Sequence, residues 1–169
     1  MNFPDFLVIE GNIGAGKTSL VTKLSEDFNY KTIFERFCDN PFLPKFYENP
    51  ERYAFPLELS FLADRYHQIS SDISSYPLFY KGIISDYFFP KTLIFARKTL
   101  NDDEFELFRQ LFYIVFKKIP RPGLIIYLSN PIEKLLKNIS KRGRNYEQNI
   151  SPEYLQEIQI SYTDFFRQN

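Results

Sequence analysis

The segment Gly11-Asn12-Ile13-Gly14-Ala15-Gly16-Lys17-Thr18 is the most informative motif in this chain of 169 residues. It has the G-x-x-x-x-G-K-[ST] spacing, in which consecutive backbone N–H groups cradle phosphate oxygens. We expect all eight residues to contact the phosphates of a nucleoside triphosphate, with Lys17 reaching the outer ones and Thr18 holding Mg²⁺ through its hydroxyl. The helix that follows would direct the positive end of its dipole towards the same anion.

Strands and helices alternate on both sides of this loop. Residues 6–10, 31–34, 82–86 and 124–128 are short apolar runs typical of buried parallel strands. The segments between them have helical patterns of apolar residues. This alternation predicts an α/β fold of the P-loop NTPase type, a parallel sheet with helices on both faces.

Five polar residues predict where helices begin, because each could accept a hydrogen bond from the first turn. They are Asn40, Asn49, Asn101, Asn130 and Ser151, and a proline follows four of them. A further helix is predicted over residues 88–99.

The composition limits the partners of the chain. There are 21 basic and 21 acidic residues, so no net field attracts nucleic acid or an anionic membrane. No segment is apolar enough to cross a bilayer or to act as a signal peptide, which predicts a cytoplasmic protein. The lone cysteine, Cys38, rules out a disulfide framework.

Two carboxylates lie at the C-terminal ends of predicted strands, at the edge of the sheet where ligands bind. Glu35 could take a proton from an acceptor hydroxyl, or pair with Arg36. Asp86 could hold Mg²⁺ or its water shell together with Thr18, or cap the next helix.

The basic segment Lys141-Arg142-Gly143-Arg144 indicates a lid over residues 141–149. Arg142 and Arg144 would close over the phosphates, with Gly143 supplying flexibility. The alternative is a solvated helix end whose cations face the helix C-terminus.

These motifs together resemble the deoxynucleoside kinases, in particular the bacterial deoxyadenosine, deoxyguanosine and deoxycytidine kinases. The resemblance covers nearly the whole chain. It includes the glycine loop, Asn40-Pro41-Phe42-Leu43 with Phe46-Tyr47, Tyr53-Ala54-Phe55 with Phe61-Leu62 and Arg65, and residues 141–148. It implies one P-loop kinase domain over residues 1–169 that transfers the γ-phosphoryl group of Mg²⁺-ATP to the 5′-hydroxyl of a deoxynucleoside.

The resemblance also implies the roles of individual residues. Glu35 is the general base for the 5′-hydroxyl, and Tyr47 and Glu147 hold the 3′-hydroxyl of the sugar. Arg142 and Arg144 contact the phosphates, and Arg65 lies near the nucleobase.

The first departure from the family pattern is Glu58, which stands where the family has glutamine. An ionised carboxylate only accepts hydrogen bonds. Guanine presents two adjacent donors, N1–H and the 2-amino group, whereas adenine and cytosine would need a protonated Glu58. We therefore predict a purine substrate, with deoxyguanosine favoured. The alternative is that Glu58 faces solvent or pairs with Arg65.

Two further departures concern Tyr87 and the end of the sequence. The family has an arginine where Tyr87 stands, and we expect Arg36 to supply the missing charge beside Glu35. The family also continues into a fifth strand and a loop over the ATP base, whereas this sequence stops at Asn169; either the sequence is cut there or the loop is absent.

Two other functions compete with this interpretation, and a third is excluded. A nucleoside monophosphate kinase of the thymidylate kinase type is left open by Arg36, Arg65 and Arg97. A non-catalytic nucleotide-binding subunit of a kinase heterodimer would suit the loss of the arginine. A regulatory GTPase is excluded, because the sequence contains neither Asp-x-x-Gly nor Asn-Lys-x-Asp.

The resemblance implies a homodimer. The interface would form through the helices over 88–99 and 105–116. The second of these has aromatic residues on more than one face, Phe105, Phe112 and Tyr113, as an interface helix requires.

Overall fold

The phosphate loop follows an interior strand of a parallel four-stranded sheet. The computed structural model describes residues 4–36, 40–74 and 79–168, so Cys38 lies outside the described residues. Within these ranges the strands are β1 (Phe6–Gly11), β2 (Lys31–Ile33), β3 (Ile83–Ser85) and β4 (Leu124–Leu128). They lie in the order β2-β3-β1-β4, and each neighbouring pair is parallel. The predicted α/β fold is therefore confirmed.

Seven helices and one 3₁₀ turn connect or follow these strands in the described ranges. They are α1 (Lys17–Phe28), α2 (Leu43–Glu48), α3 (Pro50–Ser74), α4 (Lys91–Thr99), α5 (Asp102–Phe116), α6 (Ile132–Arg142), the 3₁₀ turn Asn145–Glu147 and α7 (Pro152–Gln168).

Helices cover both faces of the sheet, as predicted, because alternate residues of a strand point to opposite sides. Leu7 and Ile9 of β1 pack with Val21 of α1 on one face. Phe6 lies on the other face, where it packs against the cluster built by α3, α4 and α5. The C-terminal strand ends remain open between these layers and form the edge where the phosphate loop lies.

Three of the predicted helix caps are confirmed. Asn101 accepts a hydrogen bond from the backbone N–H of Glu104, whose side chain accepts one from the backbone of Asn101. Asn49 accepts from the backbone N–H of Arg52, and Ser151 accepts from that of Tyr154.

The other predicted helix starts are wrong by one to three residues. Asn40 accepts from the backbone N–H of Phe42 and donates to Ser60, so it closes a turn ahead of α2. Asn130 instead donates to a backbone oxygen of the phosphate loop. The helix expected from residue 88 begins at Lys91, after a turn in which the carbonyl of Phe88 accepts from the Lys91 N–H.

The apolar residues of α5 are divided between core and surface. Phe112 is 1% exposed and stacks on Phe89 and Phe116, so the structure places it in the core rather than on an interface. Leu107, Leu111 and Ile114 follow one another at helical spacing and are exposed instead.

None of the helices in the described part of the chain combines the length and apolar character needed to cross a bilayer.

Candidate active site

Two glycines of the phosphate loop adopt the left-handed conformation, at φ +78° for Gly14 and +90° for Gly16. A Cβ on Gly14 would lie 2.7 Å from the carbonyl oxygen of Leu135 in α6. Asn138, one turn further along α6, donates to the carbonyl oxygen of Gly14 at 2.7 Å. The helix that leads to the predicted lid is therefore packed directly on the loop, which explains why glycine is required at position 14.

Asn12 anchors the loop to the C-terminal helix. Its amide nitrogen donates to the carbonyl oxygen of Leu155 at 2.7 Å, and its amide oxygen accepts from the Ile13 N–H. The residue is 1% exposed. Its side chain thus shapes the loop from behind.

The Lys17 ammonium group lies against its own loop. It donates to the carbonyl oxygens of Gly11 at 2.8 Å and Asn12 at 3.0 Å. Burial, helped by the nearby charge of Lys91, lowers the pKa of Lys17 to about 8. The amine is therefore held where phosphates would approach the loop.

Asp86 connects the phosphate loop with the end of β2. Its Oδ2 accepts from the Thr18 hydroxyl at 2.5 Å, and its Oδ1 accepts from the Glu35 backbone N–H at 2.7 Å. One carboxylate thus fixes both a predicted Mg²⁺ ligand and the predicted general base.

The Glu35 carboxylate is held by two cations. Its Oε1 accepts hydrogen bonds from Arg65, and its Oε2 accepts from Lys91 Nζ at 2.7 Å. Burial alone would raise the pKa of Glu35, but the charges of Lys91 and Arg65 outweigh it and hold the pKa well below its usual range. Glu35 is therefore ionised at neutral pH.

The cation beside Glu35 is not the one we expected. Arg36 is exposed, and Tyr87, at the position of the family arginine, is fully buried. Lys91 occupies the place instead, because the first turn of α4 directs it towards the end of β2. Sequence analysis missed Lys91, which belongs to no motif. A lysine that is 8% exposed signals its role only once the fold is known.

The Arg65 guanidinium binds Glu35 and Thr92. Its guanidinium donates to the Thr92 hydroxyl at 2.8 Å and lies 4.7 Å from the ring centre of Phe61. The expected position near a nucleobase stays a prediction.

Glu58 is 2% exposed, so the alternative that it faces solvent is wrong. Its Oε1 accepts from the Thr99 hydroxyl at 2.9 Å, and no hydrogen bond joins it to Arg65. Burial raises the pKa of Glu58 to about 7, against the charge of Arg65 and the hydrogen bond from Thr99.

The two arginines of the predicted lid converge on Glu147. Arg142 donates to Oε2 at 2.5 Å, and Arg144 donates to Oε1 at 3.1 Å. The carboxylate is buried in the 3₁₀ turn Asn145–Glu147, which packs against α2, the helix that contains Tyr47. The predicted lid and the predicted sugar-binding residues are therefore neighbours.

One cavity of about 640 Å³ brings these groups together. All the predicted site residues line it except Gly11 and Asn12, the first two residues of the phosphate loop. Its wall also includes residues that sequence analysis missed, namely Lys91, Phe95, Thr99, Asn138 and Tyr154. Among the residues that the structure describes, no three of the His, Cys, Asp and Glu side chains cluster as metal ligands would.

Comparison with known proteins agrees with this geometry. The family model described as deoxynucleoside kinase matches residues 7–169. Deoxyguanosine kinase of Bacillus subtilis (strain 168) is 38% identical over 162 residues, which are 96% of this chain and 78% of that protein. Deoxyadenosine kinase of Dictyostelium discoideum is 33% identical over 166 residues, 95% of this chain and 66% of that protein.

A solved structure supports the fold. The structure of deoxyadenosine kinase from M. mycoides with bound dATP superposes with a TM-score of 0.84 at 22% identity, covering 97% of this chain and 84% of that one. The chain belongs to the deoxynucleoside kinase family, and it is an ATP-dependent deoxynucleoside kinase.

Proposed function

We propose that the chain phosphorylates the 5′-hydroxyl of purine deoxynucleosides, deoxyguanosine in preference to deoxyadenosine, with Mg²⁺-ATP as the donor. The observation that carries this proposal is a single cavity that contains the phosphate loop, the ionised Glu35 carboxylate and the buried Glu58 carboxylate. The similarity of the chain to the deoxyguanosine kinase of Bacillus subtilis supports guanine as the preferred base.

Glu35 is the proposed general base. Because Lys91 and Arg65 keep it ionised, it can accept the proton of the 5′-hydroxyl as that oxygen bonds to the γ-phosphorus. The bond from the γ-phosphorus to the β,γ-bridging oxygen breaks, and ADP leaves. Lys17, Arg142 and Arg144 would stabilise the charge on the transferred group.

Thr18 and Asp86 are the proposed protein ligands of Mg²⁺. Mg²⁺ in phosphoryl-transfer sites takes one or two protein oxygens and completes its shell with phosphate oxygens and water. The Thr18 hydroxyl and the Asp86 carboxylate offer adjacent oxygens beside the phosphate loop, so the donor set fits. A metal held there would supply positive charge that offsets the negative charge of the triphosphate.

Tyr47 and Glu147 are the proposed contacts of the 3′-hydroxyl. Both line the cavity, and the elements to which they belong pack together. Because Glu147 also holds Arg142 and Arg144, a sugar bound there would contact the residue that orders the lid.

Glu58 is the residue that we propose to recognise the base. An ionised carboxylate pairs with the two donors of guanine, N1–H and the 2-amino group. Thr99 fixes one carboxylate oxygen, and the aromatic rings of Phe61 and Phe95 lie in the same cavity wall. We propose that the base packs between these rings.

We also propose a homodimer through α4 and α5. The exposed stripe Leu107, Leu111 and Ile114 supports it, since such a stripe on one helix favours an apolar partner. Sedimentation of the wild type should give a dimer at micromolar concentration, and Ile114→Asp should give a monomer. A monomeric wild type would contradict the interface.

The equal numbers of basic and acidic residues support small-molecule substrates rather than nucleic acid. A cytoplasmic location stays a prediction.

The experiment that tests the function is phosphate transfer from Mg²⁺-ATP to each of the four deoxynucleosides. We expect deoxyguanosine to be used best and deoxyadenosine next. Lys17→Ala should abolish transfer, whereas Lys23→Ala, an exposed lysine of the same helix, should not change it. Preference for a pyrimidine would contradict the role of Glu58, and no transfer to any of them would contradict the proposed activity.

A further inference from the structure

The Glu58 carboxyl group is bound at one oxygen and open at the other. Oε1 accepts from the Thr99 hydroxyl at 2.9 Å, whereas Oε2 has no hydrogen-bond partner among the residues that the structure describes. The side chain is 2% exposed and lines the cavity. A buried oxygen without a partner that lines a cavity is available to hydrogen-bond a ligand bound there.

The Thr99 hydroxyl accommodates either protonation state of Glu58. It lies 2.9 Å from Glu58 Oε1 and 3.1 Å from the carbonyl oxygen of Phe95, but it has one proton. It donates to Oε1 when the carboxylate is ionised or has its proton on Oε2. When the proton is on Oε1, the Thr99 hydroxyl oxygen can accept a hydrogen bond from it and donate its own proton to the carbonyl oxygen of Phe95. Neither state leaves Oε1 unsatisfied.

The charged groups around Glu58 oppose one another. Arg65 of the same helix and Lys91 of α4 favour the ionised form, while Glu35 beyond β2 favours the protonated form. Tyr154 of α7 also faces it and is neutral, because burial raises its pKa well above its usual value. Both cations are already bound to Glu35. Burial therefore decides the balance and raises the pKa of Glu58 to about 7, so both forms exist near neutral pH.

We propose that Glu58 selects the base by its protonation state, so that one site takes guanine when Glu58 is ionised and adenine when it is protonated. This inference rests on the proposed function. The ionised form offers two acceptors to N1–H and the 2-amino group of guanine. The protonated form donates from Oε2 to N1 of adenine and accepts from the 6-amino group, so Glu58 carries a proton in the deoxyadenosine complex and none in the deoxyguanosine complex.

A competition experiment tests this without knowledge of the pKa itself. Equal amounts of deoxyguanosine and deoxyadenosine are mixed with Mg²⁺-ATP. The amount of deoxyguanosine monophosphate divided by that of deoxyadenosine monophosphate gives the ratio of the two kcat/KM values, deoxyguanosine over deoxyadenosine. One substrate needs the ionised form and the other the protonated form. The ratio should therefore rise about tenfold per pH unit, or about a hundredfold from about pH 6 to about pH 8. The titration of Glu35 and of ATP affects both substrates equally and cancels.

Glu58→Gln is the decisive variant, because glutamine offers a donor and an acceptor at every pH. Its ratio should not change with pH and should favour deoxyadenosine. Thr99→Ser keeps the hydroxyl and should keep the dependence of the wild type. A wild-type ratio that rises less than about tenfold over the same range overturns the inference. An unchanged pH dependence in Glu58→Gln also overturns it. If neither nucleoside is phosphorylated, the proposed function fails instead.

Discussion

Lys91 Nζ donates a hydrogen bond to Glu35 Oε2 at 2.7 Å, which joins the first turn of α4 to the end of β2. Both side chains are about nine-tenths buried. Arg65 binds the other oxygen of the same carboxylate. This arrangement fixes the position of the carboxylate and keeps it ionised.

Lys91→Met should move the pH dependence of the kinase. Lys91 holds the pKa of Glu35 low, so its loss raises that pKa, and the ionised base is then lost at a higher pH as the solution is acidified. The acid limb of kcat against pH should move upward, so that kcat falls most at the acid end of the profile. Full pH profiles of the variant and the wild type measure this.

Two further variants separate this effect from damage to the fold. Lys91→Arg keeps the positive charge and should restore most of the wild-type profile. Lys98→Met, at an exposed position of the same helix, should leave the profile unchanged. A uniform loss of activity in Lys91→Met, with the acid limb in place, would contradict the account.

Gly14→Ala should destabilise the protein more than Gly143→Ala. Both glycines are left-handed, at φ +78° and +73°, so each alanine carries a strain of about 1 kcal/mol. Only at Gly14 would the new Cβ also meet a backbone oxygen, 2.7 Å away, whereas nothing lies within 4 Å at Gly143. That overlap should add about 1–3 kcal/mol to the loss of unfolding free energy. Thermal unfolding of both variants checks this, and equal losses would disprove the contact between loop and α6.

Glu58→Gln should stabilise the protein increasingly as the pH rises. The pKa of Glu58 is raised on folding from 4.5 to about 7, so its favourable contribution is complete below the unfolded value and is lost as pH rises through the folded one. Glutamine does not ionise and escapes this loss. The difference in unfolding free energy should grow between about pH 5 and about pH 8, to at most about 3 kcal/mol. Denaturant titrations at several pH values measure it, and a constant difference would refute the raised pKa.

The sheet and the phosphate loop were predictable because their signals are local. Four apolar runs gave four strands, and the glycine spacing places the loop between β1 and α1. The helix starts were harder to predict. Asn40 and Asn130 are residues of a type that often caps helices. However, Asn40 donates to the Ser60 hydroxyl and Asn130 donates to the carbonyl oxygen of Ala15, and both partners are distant in sequence. A capping residue with a tertiary partner cannot be recognised from its neighbours alone.

The candidate site was predictable where motifs define it and not where packing does. Glu35 and Asp86 follow strands, and their convergence at one edge of the sheet follows from parallel topology. Lys91 and Thr99 belong to no motif, and only the docking of α4 against α3 brings them to Glu35 and Glu58. Phe112 was misplaced for a similar reason, because an aromatic stripe does not distinguish a core from an interface.

The role of Glu35 is tested by the kcat of Glu35→Gln with Mg²⁺-ATP and deoxyguanosine. Glutamine keeps the shape of the side chain but cannot accept the proton of the 5′-hydroxyl at neutral pH. We predict a fall in kcat of about 10²- to 10⁴-fold, with ATP affinity close to that of the wild type. A fall of less than about tenfold would show that Glu35 is not the base and would contradict the account.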